Sequence, residues 1–230
     1  MVAPPDWLEK LLAPFSQPVV SAVTGNVLPK EVRSYAQQLF EVYGGLGRGW
    51  ERVRADKAWA DRHRFSAVPA WELGATVNAT FRTAIFRDPT IGGFHEALGA
   101  GVPAQGGEDS YFLYKLLQAG KTIVYEPTAW VWHEHRSDLV ALARQVRHYR
   151  QGHVAHNLTA LVEEGDWRSL IQLFVAVPLY DAWRVQARLR RQIDYPLDLI
   201  LQEILGSFTG PVAWWRSRRL LKARLAQADR

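Results

Sequence analysis

Between Asp6 and Phe15 the apolar residues Trp7, Leu8, Leu11 and Leu12 recur at spacings of three and four, which predicts a short helix capped by Asp6. Pro18 to Val27 is rich in β-branched residues and predicts a strand ended by Pro29. Ser34 to Tyr43 predicts a second helix, closed by Gly44 and Gly45. Residues 46–70 are rich in Arg, Trp and Gly with little periodicity and are expected to form a long loop. Leu73 to Phe86 is strand-like, with a short helix at its end. Gly99 to Gly107 holds four glycines and a proline, so it is a loop. A helix starts at Glu108-Asp109, buries Phe112, Leu113, Leu116 and Leu117, and stops at Gly120. Lys121 to Tyr125 and Ala129 to Trp132 predict two strand pieces separated by Glu126-Pro127. Leu139, Leu142, Val146 and Tyr149 mark another helix. From about Val154 onward the pattern is helical, with breaks near Gly165, Pro196 and Gly210-Pro211.

Strand patterns therefore end by residue 135, and the expected fold class is α/β with an all-helical C-terminal appendage. Length adds that 230 residues can bury a sizeable core. The absence of cysteine excludes disulfides, thiolate metal sites and a cysteine nucleophile. Net charge is +5, yet Arg184 to Arg230 carries ten basic and four acidic residues, a net of +6. The other 183 residues sum to −1, which argues against a nucleic-acid partner for the whole chain. Met1 to Glu9 has neither the basic nor the apolar region of a signal peptide. The longest apolar run, Leu170 to Tyr180, is interrupted by Gln172 and is too short to span a bilayer.

Five segments carry candidate chemistry. Gly106-Gly107-Glu108-Asp109 places two carboxylates at a helix start behind a glycine-rich turn. The glycines allow a ligand to approach the backbone, and the helix N-terminus favours an ionised base. Acidic residues also suit any first helical turn, and that plainer account stays open. His133-Glu134-His135 sets two imidazoles on one side of an extended segment, as a metal site or as ordinary histidines after a strand. Arg144, Gln145, Arg147, His148 and Arg150 form a basic helix that suits phosphate oxygens or simply faces water. Asn78 and Arg82 interrupt an apolar strand, either as a polar ledge in a cleft or as its outward face. Trp214, Trp215, Leu220, Leu221 and Leu225 interleave with basic residues, which fits a membrane surface or a helix packed on the domain.

Taken together, Pro5-Asp-Trp-Leu, Ala22-Val-Thr-Gly, Asn78-Ala-Thr-Phe-Arg, Ile91-Gly-Gly-Phe, Gly106-Gly-Glu-Asp, Val124-Tyr-Glu-Pro and Trp132-His resemble the bacterial family 2 glycosyltransferases, which have the GT-A fold. The resemblance covers about residues 4–155 and implies a division at residue 153. Residues 1–153 would be a partial GT-A domain, a Rossmann-like mixed sheet with flanking helices, and 154–230 the helical region. It implies inverting transfer of a sugar from a nucleotide-diphosphate sugar to a hydroxyl of a glycan or lipid acceptor. Asp109 would be the base and Glu108 its neighbour that orients the acceptor. Asn78, Arg82, Gly106, Gly107 and Arg147 would contact substrate. The implied cofactor is a divalent metal, manganese or magnesium, with His133 as the matching ligand. At the position of the processive Gln-x-x-Arg-Trp motif, Gln145 is followed by His148 and Tyr149, a departure from the pattern.

The family places a nucleotide-binding half before the Asp-Trp-Leu segment, ending in an Asp-x-Asp that holds the metal. No Asp-x-Asp occurs in this sequence. The resemblance therefore implies an acceptor-side half that is inactive alone and needs a missing N-terminal half or a partner subunit. Strands left without their usual neighbours imply a tendency to associate. The competing expectation is a non-catalytic interaction protein, or one held peripherally at the cytoplasmic face of a membrane by its basic C-terminal helix. A metal hydrolase using His133, His135 and Glu108 lacks a convincing ligand set.

Overall fold

The computed structural model describes residues 1–228. Among them are four strands in one mixed sheet and eight α-helices. The chain forms two compact units. The first comprises Met1–His63, Val68–Gly93 and Asp109–Asp138, and the second, among the described residues, Arg64–Ala67, Phe94–Glu108 and 139–228.

The first unit holds the whole sheet: β1 (Val20–Pro29), β2 (Val53–Ala55), β3 (Ala79–Phe81) and β4 (Thr122–His133), in the order β2-β4-β1-β3. β1 and β4 are parallel and central, while the edge strands run antiparallel to their neighbours. Both edges are only three residues long, which limits the unpaired backbone they offer. β1 is buried on both faces from Ala22 to Val27, polar Thr24 and Asn26 included, so no alternating pattern is seen. Helix α1 (Trp7–Leu12) packs its Leu11 with Val20, Val23, Val124 and Ala129. Helix α2 (Tyr35–Tyr43) starts in a capping box: Ser34 accepts from the Gln37 N–H, and the Gln37 side chain accepts from the Ser34 N–H.

Several expectations change here. The segment expected to be a long loop contains β2 and a helix, α3 (Lys57–Asp61), capped by Asp56. It is tied down by Arg48, which donates to the carbonyls of Gly45, Gly47 and Trp71, and by Gly49, whose carbonyl receives the Tyr125 hydroxyl. Leu73 to Phe86 is mostly 3-10 turns, with β3 the only strand within it. The two expected pieces around Glu126-Pro127 are one strand, β4. Its register to β1 jumps from Gly25↔Glu126 to Asn26↔Trp130, so Pro127 sits in a bulge where no ladder N–H is needed.

The bulge is braced from inside. Asn78 donates its two amide hydrogens to the carbonyls of Asn26 and Ala129, each at 2.8 Å, and its Oδ1 accepts from the Trp7 indole at 2.8 Å. This requires glycine at position 25, where a Cβ would lie 2.0 Å from the Ala129 carbonyl and 2.3 Å from Asn78 Nδ2. Helix α4 (Glu108–Gln118) adds Phe112, which stacks on Phe86 at 5.7 Å with Phe81 edge-on at 5.2 Å.

The second unit is helical: α5 (Leu139–Glu163), α6 (Arg168–Ile171), α7 (Val177–Leu189) and α8 (Leu197–Ala228). Breaks fall near Gly165 and Pro196 as expected, but not at Gly210-Pro211, because α8 continues through Pro211. A proline inside a helix costs about 3 kcal/mol or more. Close packing of α8 on α5 offsets it: Gly206 lies on the Arg147 carbonyl and Gly210 on Val154, with no room for a Cβ at either. A π-helical turn at Gln172–Ala176 makes α6 and α7 one continuous rod. Pro178 explains that turn, since it cannot bond the Phe174 carbonyl four residues back.

Replacing Gly25 with alanine forces the bulge apart. We expect G25A to lower unfolding free energy by about 3 kcal/mol, measured by urea denaturation, whereas alanine at Gly93, where a Cβ meets nothing, should change it little.

Candidate functional site

Asp109 opens α4 within the first unit and is held by one residue. Its Oδ2 accepts from the Thr76 N–H at 3.2 Å, and its Oδ1 accepts from the Thr76 hydroxyl. Each oxygen keeps a second lone pair for a further donor. Thr76 was not singled out by sequence reasoning, and no local pattern marks it.

The other first-unit candidates are engaged within the fold. Asn78 braces the β4 bulge as described. Arg82 donates to the carbonyls of Val20, Phe15 and Gln17, and lies 5.0 Å over the Phe15 ring. Its guanidinium fastens β3 to the turn after α1. His133 ends β4 with its Nδ1 buried and without a hydrogen-bond partner. Burial pushes its pKa down, and the neighbouring His135 adds to this. The two rings are 5.3 Å apart, and His135 instead turns its Nε2 to Glu41 Oε1 at 2.7 Å, under the edge of Phe40. Among the described residues no three His, Cys, Asp or Glu side chains form a group able to hold a metal. His133 fits one ligand position, but these residues do not by themselves make a divalent-cation site.

The Tyr-Glu-Pro segment has a separate role. Glu126 is buried at the bulge and accepts from the Thr128 N–H and hydroxyl and from Arg52. Burial pushes its pKa up, but the bonds from Thr128 and Arg52 outweigh this and hold it below the usual value.

In the second unit, Gly106 and Gly107 have φ of 154° and 97°, conformations that favour glycine. Sequence reasoning assigned these glycines to ligand approach. The structure instead puts them against α5: a Cβ on Gly107 would be 2.4 Å from the Gly152 carbonyl, and one on Gly152 would be 2.7 Å from Gly106. His156, one turn beyond Gly152, interacts with the Gly107 backbone. Glu108 closes the same loop, its carboxyl carbon 3.5 Å from where a Cβ on Gly99 would sit. The glycines make a loop-to-helix joint that seats the chain just before the two carboxylates. Gly152 and His156 were missed, although a lone glycine within a helical pattern is a signal for close packing.

Arg147 lies on α5 with its Nε buried and without a hydrogen-bond partner. The neighbouring Arg150 is buried in an ion network. It donates to both Asp181 oxygens at 2.9 and 3.2 Å and to Glu203 at 3.3 Å, while Arg184 meets Glu203 at 2.5 Å. Burial raises the Asp181 pKa against the pull of Arg150. Arg184 is opposed by burial, but its bond to Glu203 keeps it raised.

No protein-family model, curated protein or solved structure matches this chain.

His156 is only 2 % exposed, and burial pushes its pKa from 6.5 to about 4, against the opposing pull of the Gly107 backbone. Between these values the unfolded chain binds the proton and the folded chain does not. Stability is thus complete above pH 6.5 and falls as the pH drops toward 4, by at most about 1.4 kcal/mol per pH unit for this group. We expect urea midpoints to fall across that window and the fall to be shallower in His156→Gln.

Proposed function

We propose that this chain supplies the acceptor side of an inverting glycosyltransferase of the GT-A type. The observation that carries the reading is Asp109: a carboxylate in the first turn of α4, aligned by the Thr76 N–H and hydroxyl, directly after a Gly-Gly-Glu sequence. A parallel β1–β4 core, a Tyr-Glu-Pro bulge and His133 at the end of β4 accord with it.

In this reading Asp109 takes the proton from an acceptor hydroxyl of a glycan or lipid. The acceptor oxygen attacks the anomeric carbon of a nucleotide-diphosphate sugar from the face opposite the diphosphate. The new C–O bond forms as the bond to the diphosphate breaks, the diphosphate keeps the electron pair, and the configuration inverts. Thr76 keeps the carboxylate oriented, and Glu108 precedes it in the chain as a second acceptor-side group. The 230 residues contain no Asp-x-Asp. Donor and metal are therefore assigned to residues outside them.

The test is transfer of labelled sugar from nucleotide-diphosphate sugars with manganese, with nucleotide-binding residues supplied on the same polypeptide or a separate one. Asp109→Asn can still reach Thr76 at both positions, Oδ1 accepting from the N–H and Nδ2 donating to the hydroxyl oxygen, so its thermal unfolding should match wild type while turnover falls by about 10²- to 10⁴-fold. Wild-type turnover in Asp109→Asn would overturn the assignment, as would no transfer by any such combination.

A further inference from the structure

Around α7 the second unit turns its charged side chains inward and apolar ones outward. From Ser169 to Trp183 the only charged residue is Asp181, and it is buried with Arg150. The next charge, Arg184, is buried against Glu203. What faces outward along this rod is Phe174, Val175, Leu179, Trp183 and Leu189, with Phe174 72 % exposed and Leu179 65 %. On α8 the outward stripe is Leu201, Leu205, Phe208, Val212 and Trp215, one residue every three or four, with Phe208 76 % exposed. An open groove of about 850 Å³ runs between α7 and α8, lined by Phe174, Leu189 and Phe208 among others.

A helix in water places its charges outward and its apolar face on the core. Here the ion pairs occupy the core, and two adjacent helices present apolar stripes, beyond what scattered surface residues produce. No helix among the described residues is long and apolar enough to cross a membrane. The rim decides what covers the face. Arg190 and Arg191 follow α7, and Arg216, Arg219 and Lys222 continue α8 past Trp215; all are exposed. Arg219 stacks over the Trp215 ring at 4.8 Å. Aromatic residues between an apolar face and a rim of five exposed cations, against the two exposed carboxylates Asp194 and Asp198, match the boundary between acyl chains and anionic headgroups.

We propose that the α7–α8 face docks on the surface of a bilayer containing anionic phospholipid, with Phe174, Leu179 and Phe208 entering the acyl boundary and the arginines meeting the headgroups. The inner side of α8 is already committed to α5: the Trp214 indole donates to Thr159 at 3.0 Å, and Arg218 pairs with Glu163. The basic C-terminal helix is thus the rim of a larger surface that begins on α7. This inference stands apart from the role of Asp109.

The test is flotation of the full chain with phosphatidylcholine vesicles, with and without phosphatidylglycerol, alongside sedimentation of the chain without lipid. Wild type should float with the anionic vesicles. Release is expected when salt rises from about 0.1 M to about 1 M, which shortens the screening length from about 10 Å to about 3 Å. Phe174→Gln and Phe208→Gln should each lower partitioning roughly tenfold. Arg190→Glu with Lys222→Glu should remove the preference for anionic lipid. All these side chains are exposed, so folding should persist, and Phe65→Gln, an exposed phenylalanine elsewhere, should bind as wild type. Failure of wild type to float would overturn the proposal. So would flotation unaffected by Phe174→Gln and Phe208→Gln, or a dimer that those substitutions dissociate in a protein that ignores vesicles.

Discussion

Close backbone approach at glycine is the constraint on which both units depend. In the sheet, Gly25 lets the Ala129 carbonyl and the Asn78 amide reach β1, and the β4 bulge exists only because they do. In the helical unit, Gly107 and Gly152 press a loop onto α5, and Gly206 and Gly210 seat α8 on the other side of that helix. At each position an added methyl group meets a neighbouring atom at less than 3.0 Å.

The second organising feature is the buried ion network. A buried charge is tolerated when its partners satisfy it, and removing one partner strands the other. Arg150, Asp181, Arg184 and Glu203 tie α5, α7 and α8 together, with the Tyr195 hydroxyl donating to Glu203 at 3.1 Å. These charges turn inward, while outward positions of α7 carry Leu179, Trp183 and Leu189.

Much of the secondary structure was legible in the sequence. The second helix closed by Gly44, the helix start at Glu108 and the Gly120 stop each rest on local chemistry, and each is found. β2, three residues long, has no periodicity to read. Pro127 looked like a strand end because a bulge is made by partners distant in sequence. Pro211 looked like a break because the glycines that hold α8 on α5 act through tertiary contact. The candidate site was legible in part. Asp109 and Glu108 stand at the helix start as expected, but Thr76 is 33 residues away from Asp109 in sequence. Gly107 was read for freedom of close approach, and the structure shows that approach to be made by α5, a helix distant in sequence. Among the basic residues of α5, spacing alone does not tell that Arg150 faces inward to carboxylates on two other helices.

The role proposed for Asp109 is to activate an acceptor hydroxyl for a single displacement at the anomeric carbon. The most direct measurement is the anomeric configuration of the first product formed, read from its proton NMR couplings. A single displacement gives a product whose linkage is inverted relative to the donor. A product with the donor's configuration would contradict it, because retention requires a different arrangement of chemistry from one base and one attacking hydroxyl.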